Sequence, residues 1–215
     1  MIKGIIFDMD GVISDTQKFH SKIESDILKE YNIIITPEEI TKKYSGVKTK
    51  EFFEVLLKEQ KLVYDLDYMM KKKWSEMERL ASNSVEAITG SINLINFLYS
   101  KRYPLAVASA SNLNYVEIVL EKLEIINKFT SIISGDQVSY GKPDPESFLL
   151  AAKKININPE NCLVIEDGIN GMIAAKKANM YCIGLVKEKT EKYPTQNLVL
   201  NLSEINESYL KNLIK

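Results

Sequence analysis

The run Ile2-Lys3-Gly4-Ile5-Ile6-Phe7-Asp8-Met9-Asp10-Gly11 opens as a short, β-branched apolar segment and breaks at two carboxylates. An apolar run of this length, bounded by a polar turn, is the pattern of a strand covered on both faces, as in a parallel sheet. Comparable runs return at Leu105 to Ala108, Ser131 to Ile133, Cys162 to Ile165, Tyr181 to Leu185, and Leu198 to Val199. Between and after them, Leu94 to Leu98, Tyr115 to Leu123, Glu146 to Lys153, Ile169 to Ala178 and Glu204 to Ile214 carry helical patterns. Asp144 is expected to cap the third of these, with Pro145 in its first turn. Strands alternating with helices imply right-handed crossovers and a parallel sheet. The expected fold is α/β, a Rossmann-like doubly wound core.

Working outward from the first strand, residues 16–86 change character. Ile23, Ile27, Leu28 and Tyr31 fall at helical spacing, and Phe52, Phe53, Leu56 and Leu57 form another apolar stripe. Thr36-Pro37-Glu38-Glu39 reads as an N-cap, a proline and an acidic first turn. Tyr68, Met69, Lys72, Trp74 and Met77 mark a further long helix. This segment is expected to be a helical-bundle cap inserted after the first strand. The core is then residues 1–15 and 87–215, and hinges are expected near Ser14 to Thr16 and Glu86 to Gly90.

Bulk properties exclude several classes. The 28 Lys and Arg nearly balance 29 Asp and Glu, leaving no basic footprint for nucleic acid or an anionic membrane. No run approaches the ~20 apolar residues that span a bilayer. Asp8 comes too early for a secretory leader. Cys162 and Cys182 are not spaced as a metal or redox pair and read as buried free thiols. A soluble, cytoplasmic monomer is expected, with no nucleic-acid or membrane partner.

Ligands of doubly wound sheets bind outside the carboxyl ends of the strands. Asp8 and Asp10 end the first strand, Ser109 the second, and Glu166 and Asp167 the fourth; Lys142 follows the third through the loop from Gly135. Any one of these alone reads as a loop residue, a helix cap or a solvated lysine. Together they form one rim. Clustered carboxylates repel one another unless a cation sits among them, and hard oxygen donors favour Mg²⁺. A carboxylate nucleophile, a second carboxyl for proton transfer, and a hydroxyl and an ammonium for equatorial oxygens make a phosphoryl-transfer set.

Four motifs in order then give a resemblance that covers essentially the whole chain: Phe7-Asp8-Met9-Asp10-Gly11-Val12-Ile13-Ser14-Asp15-Thr16, Val107-Ala108-Ser109-Ala110-Ser111, Gly141-Lys142-Pro143-Asp144-Pro145, and Ile165-Glu166-Asp167-Gly168-Ile169-Asn170-Gly171. The chain resembles the haloacid dehalogenase superfamily, in its β-phosphoglucomutase-like phosphatase group. The resemblance implies that Asp8 is the nucleophile and Asp10 the general acid and base. It implies Mg²⁺ held by Asp8, the Asp10 main-chain carbonyl and Asp167, with Glu166 beside them. Ser109 and Lys142 would bind the transferring phosphoryl. Phosphate and substrate contacts are expected at Gly11, at Ser109, Ala110, Ser111 and Asn112, and from the cap at His20, Gly46, Lys48 and Lys50. The chain has Gly168 where the family carries a small hydroxyl residue.

The leading expectation is a Mg²⁺-dependent phosphatase of small phosphorylated metabolites, with sugar phosphates foremost. A β-phosphoglucomutase-type mutase is the first alternative: His20 and the Gly46 loop favour it, while Asn112 and the lack of a loop arginine oppose it. A non-catalytic regulator that binds phosphorylated metabolites belongs to another class. Intact Asp8, Asp10 and Lys142 argue against it.

Overall fold

A computed structural model describes residues 1–59, 64–190 and 192–213. Strands β1 (Gly4–Phe7), β2 (Leu105–Ala108), β3 (Ser131–Ile133), β4 (Cys162–Glu166), β5 (Tyr181–Leu185) and β6 (Leu198–Val199) form a single six-stranded sheet. Every pairing is parallel, in the order β3-β2-β1-β4-β5-β6. The chain therefore winds outward from β1 on one side and returns to β4 on the other. The crevice outside β1 and β4 is the switch point of such a sheet.

Strand side chains alternate between two cores, because successive residues point to opposite faces. Ile5, Phe7, Leu105, Val107, Leu163 and Ile165 enter one. Helices α5 (Ser91–Ser100) and α6 (Leu113–Lys122) cover it with Leu94, Ile95 and Leu98, and with Val116, Val119 and Leu120. Ile6, Ala106, Ala108, Cys162 and Val164 enter the other, against α7 (Glu146–Lys154) and α8 (Ile169–Lys177). Both thiols are buried and free. Burial pushes the Cys162 thiol up to about 11 and Cys182 higher still, so neither is poised as a thiolate.

Between β1 and α5 lie α1 (Gln17–Lys29), α2 (Pro37–Tyr44), α3 (Thr49–Glu59) and α4 (Leu66–Asn83). Helix α1 packs on α2 and α4, α3 on α4, and α4 on the core helix α6. Thr36 and Glu39 cap α2 reciprocally, as their spacing implies. The chain leaves and re-enters the sheet side by side. Ser14 and Ala87 form an antiparallel bridge, and Asp15 N–H donates to Glu86 and Ile88 N–H to Ile13.

Three local expectations shift. The final helix does not run from Glu204. Glu204 turns back onto Asn201 in a reciprocal cap that closes a 3₁₀ turn, buried Ile205 goes extended, and Asn206 caps a shorter helix, α9 (Glu207–Lys211). The expected end at Ile214 lies outside the described residues. Pro145 takes the cap position of α7 rather than its first turn, while Asp144 still accepts Glu146 N–H at 2.9 Å. Helix α6 begins before Tyr115 because Asn112 accepts the Tyr115 N–H. No helix among the described residues is long and apolar enough to cross a membrane.

Leu98 sits fully buried between α5 and the sheet. Leu98→Ala is expected to cost about 2–5 kcal/mol. Urea unfolding should show a lower midpoint with an unchanged slope.

Candidate active site

Register delivers the first carboxylates. Phe7 pairs with Ile165 across β1 and β4, so the next residues, Asp8 and Glu166, emerge together at the crevice. Asp8 N–H donates to Ile165 at 3.0 Å and anchors that level. On the other flank β2 ends at Ala108, followed by Ser109.

Lys142 enters from the loop between β3 and α7, and is 2% exposed. Its ammonium donates to Asp8 Oδ1, to Glu166 Oε2 at 2.8 Å and to the Ala108 carbonyl at 3.2 Å. Those bonds use all its donors. Burial opposes the charge, but Asp8 and Glu166 outweigh it and raise Lys142 above its ordinary value. The other oxygen of Glu166 accepts Asp167 N–H at 3.1 Å and Gly168 N–H at 3.0 Å.

Asp8, Glu166 and Asp167 offer carboxylate oxygens within 4.8 Å of one another. Burial, then the Glu166 charge, push Asp8 up to about 8 despite Lys142. Burial with Glu166 and Asp8 drives Asp167 well above the usual carboxylate range. Asp167 Oδ1 is buried with no hydrogen-bond partner among the described residues. A crowded carboxylate set with an orphaned oxygen, opposed by a single ammonium, fits a hard divalent cation such as Mg²⁺. Gly11 is needed beside it: its φ is +98°, and a Cβ there would fall 2.2 Å from Asp167 Oδ2.

Asp10 is held separately. Its Oδ1 accepts from Thr16 Oγ1 at 2.5 Å, His20 Nε2 at 3.0 Å and Tyr115 at 3.3 Å. Its Oδ2 accepts from Ser111 Oγ at 2.9 Å and Ser109 Oγ at 3.5 Å. Burial alone would raise this carboxyl. The His20 charge and hydrogen bond, with the Thr16 and Ser111 hydroxyls, hold it well below the usual range. His20 is itself fixed edge-on against Trp74 and Tyr115.

Asp8 and Asp10 face a cavity between the sheet rim and the inserted helices, joined from the rim by Ala110 and Ser111. Its free space for the centre of a water-sized sphere is about 40 Å³. That holds a few waters or a phosphate-sized group. The helices close it with Gln17, His20 and Glu24 from α1, Gly46 from the α2–α3 loop, and Thr49 and Lys73. Two polar contacts lock that loop region to the Lys142 loop: Glu51 accepts Gly141 N–H at 2.9 Å, and Lys48 donates to Val138 at 2.8 Å.

The expected site residues divide accordingly. Asp8, Asp10, Ala110, Ser111, His20 and Gly46 meet at the cavity, with Ser109, Lys142, Glu166 and Asp167 directly behind it. Lys48 is spent on Val138, Lys50 is exposed, and neither faces the cavity. Asn112 is engaged as a helix cap and by Glu78 at 3.3 Å. The cation on the cavity wall is instead Lys73, from the consecutive lysines Lys71 to Lys73. Its spacing carried the signal: Met69, Lys73, Met77 and Ala81 recur every fourth residue and are the buried face of α4. Thr16 and Tyr115 were also missed as partners of Asp10. Near Gly168 the α2–α3 loop supplies a hydroxyl: Ser45 Oγ lies 3.2 Å from where a Cβ would stand.

The haloacid dehalogenase-like hydrolase family profile matches residues 5–185. The chain belongs to that family. It is 31% identical over 179 residues to a phosphorylated carbohydrates phosphatase of Thermotoga maritima, covering 83% of this chain and 82% of that protein. It is 29% identical to a β-phosphoglucomutase of Bacillus subtilis, covering 86% of this chain and 83% of that one. The crystal structure of a β-phosphoglucomutase from Clostridium difficile superposes with a TM-score of 0.85 at 27% identity, over 98% of this chain and 96% of the other.

Lys142→Met strips two buried carboxylates of their cation and is expected to cost about 3–5 kcal/mol, read from the urea midpoint. Mg²⁺ should raise the wild-type melting temperature in a concentration-dependent manner, and Asp167→Asn should abolish that rise.

Proposed function

We propose that this hydrolase is a Mg²⁺-dependent phosphatase of small phosphorylated metabolites, sugar phosphates foremost, acting through a phosphoaspartate on Asp8. The observation that carries this reading is the pairing of Asp8 and Asp10 on one cavity, with Lys142 on Asp8 and hydroxyl and imidazole donors on Asp10. Asp8, Asp167 and Glu166 would hold Mg²⁺, which when bound screens the phosphate dianion from the carboxylates. Asp8 attacks phosphorus, and Lys142 and Ser109 hold equatorial oxygens as charge shifts onto them. Asp10 delivers the proton held between it and His20 to the leaving ester oxygen. As carboxylate, Asp10 then takes a proton from the water that attacks the phosphoaspartate. Phosphate leaves and Asp8 is restored.

The inserted helices act here as a cap, with the segment between residues 16 and 86 opening about the bridge between Ser14 and Ala87. Such movement would admit a sugar ester, and reclosure would exclude bulk water from the first step.

A mutase must also grip a second phosphate. Lys48 and Asn112 are engaged elsewhere and Lys50 faces solvent. This supports hydrolysis over transfer to a sugar hydroxyl. The purified protein with Mg²⁺ should release phosphate from sugar phosphates. Asp8→Asn should abolish release, and Asp10→Asn should slow it by about 10²–10⁴-fold. Conversion of glucose 1-phosphate to glucose 6-phosphate without net release would replace this reading with the mutase.

A further inference from the structure

Lys73 is 1% exposed, yet it lies on the wall of the catalytic cavity. Its ammonium donates to Glu24 and to Thr49 Oγ1, and stands 4.7 Å from the centre of the Trp74 ring. Glu24 is 7% exposed and faces the same cavity from α1, one turn after His20. Among the described residues on the cavity wall, Lys73 is the one lysine or arginine, and His20 is already engaged by Asp10.

The cap side of the cavity is therefore electrically balanced. A bare Lys73 would attract a second anionic group on the substrate, such as a carboxylate or another phosphate. Paired with Glu24, it cannot do so without leaving a buried carboxylate uncompensated, which is strongly unfavourable. The Glu24 carboxylate also repels an incoming anion and accepts hydrogen bonds from hydroxyls. We infer that Glu24 is a specificity-determining residue: by neutralising Lys73 it selects phosphate esters whose remainder is uncharged and hydroxyl-rich, and rejects those bearing a second anion. This rests on the phosphatase reading for the site, but concerns only the end of the substrate remote from phosphorus.

The two are separable by measuring binding where hydrolysis is blocked. Sorbitol 6-phosphate and 6-phosphogluconate differ only in a terminal CH₂OH against a carboxylate. With Asp8→Asn protein and Mg²⁺, calorimetry should show sorbitol 6-phosphate binding the more tightly. Adding Glu24→Gln keeps the shape and frees the Lys73 charge. It should shift the ratio of the two dissociation constants toward the acid by about tenfold or more. Replacing Glu24 and Lys73 together by methionine removes both charges and should leave the acid disfavoured. Tighter binding of 6-phosphogluconate to the Asp8→Asn protein overturns the inference, as does binding of neither compound. That comparison needs no change at the pair, so it stands even if Glu24→Gln folds poorly. An unchanged ratio in a folded Glu24→Gln protein also overturns it. If the expected order holds but the wild type releases no phosphate from any ester, the phosphatase reading alone fails.

Discussion

The buried ammonium of Lys142 ties the sheet to its chemistry. It spans the crevice where the strand order turns back, bonding Asp8 at the end of β1, Glu166 at the end of β4 and the last carbonyl of β2. Carboxylates from neighbouring strands at this depth could not stay ionised on their own. One lysine from a distant loop makes them compatible, yet it does not satisfy them all. The residue of negative charge at Asp8 and Asp167 is what a divalent cation would relieve, so the site's electrostatics are incomplete by construction. A fully neutral cluster would be more stable and would have no reason to bind metal and phosphate.

Asp10 shows the complementary solution. Two residues beyond Asp8, it leaves the Lys142 cluster and is surrounded by donors from Thr16 and His20 on one side and Ser111 and Tyr115 on the other. Thr16 and His20 belong to the start of the insertion, while Ser111 and Tyr115 belong to the core. The environment of this carboxyl is therefore assembled only when both parts meet. The contacts of Lys48 and Glu51 with the Lys142 loop act in the same sense, because they join the α2–α3 loop and the start of α3 directly to the segment that positions the ammonium. On the proposed mechanism, closure and the state of Asp10 are thus coupled through ordinary hydrogen bonds.

Much of this was legible in the sequence. Parallel strands betray themselves as continuous apolar runs, and their ends are where the chain changes abruptly to polar residues. The rim of Asp8, Ser109, Lys142, Glu166 and Asp167 follows from that rule before any coordinate is known. The cap was harder. Lys48 and Lys50 looked available because a loop lysine's direction depends on contacts distant in sequence, here with Val138. Lys73 is one of three consecutive lysines, and since adjacent residues on a helix point in different directions, the run alone does not single it out. Its place in the four-residue rhythm from Met69 to Ala81 distinguishes it, and Glu24 lies likewise on the buried stripe with His20 and Ile27. Glu204 misled for a related reason: a capping residue and a helix-interior residue can be the same amino acid.

The two buried lysines solve different problems with the same kind of pair. Lys142 is opposed by more carboxylate charge than it can neutralise, which leaves the core side of the site ready for a cation and a phosphate. Lys73 is met by Glu24 and a hydroxyl, which leaves the cap side balanced. Desolvating an ion pair is costly and is rarely the cheapest way to fill a core position. A methionine at position 73 would continue the stripe of α4 without that cost. Keeping a charge there and then cancelling it makes physical sense if the pair's role is recognition. It presents directed hydrogen-bonding groups to a ligand while denying any net charge to grip. On the proposed function, attraction for phosphate is thereby confined to the strand ends, where Asp8 stands.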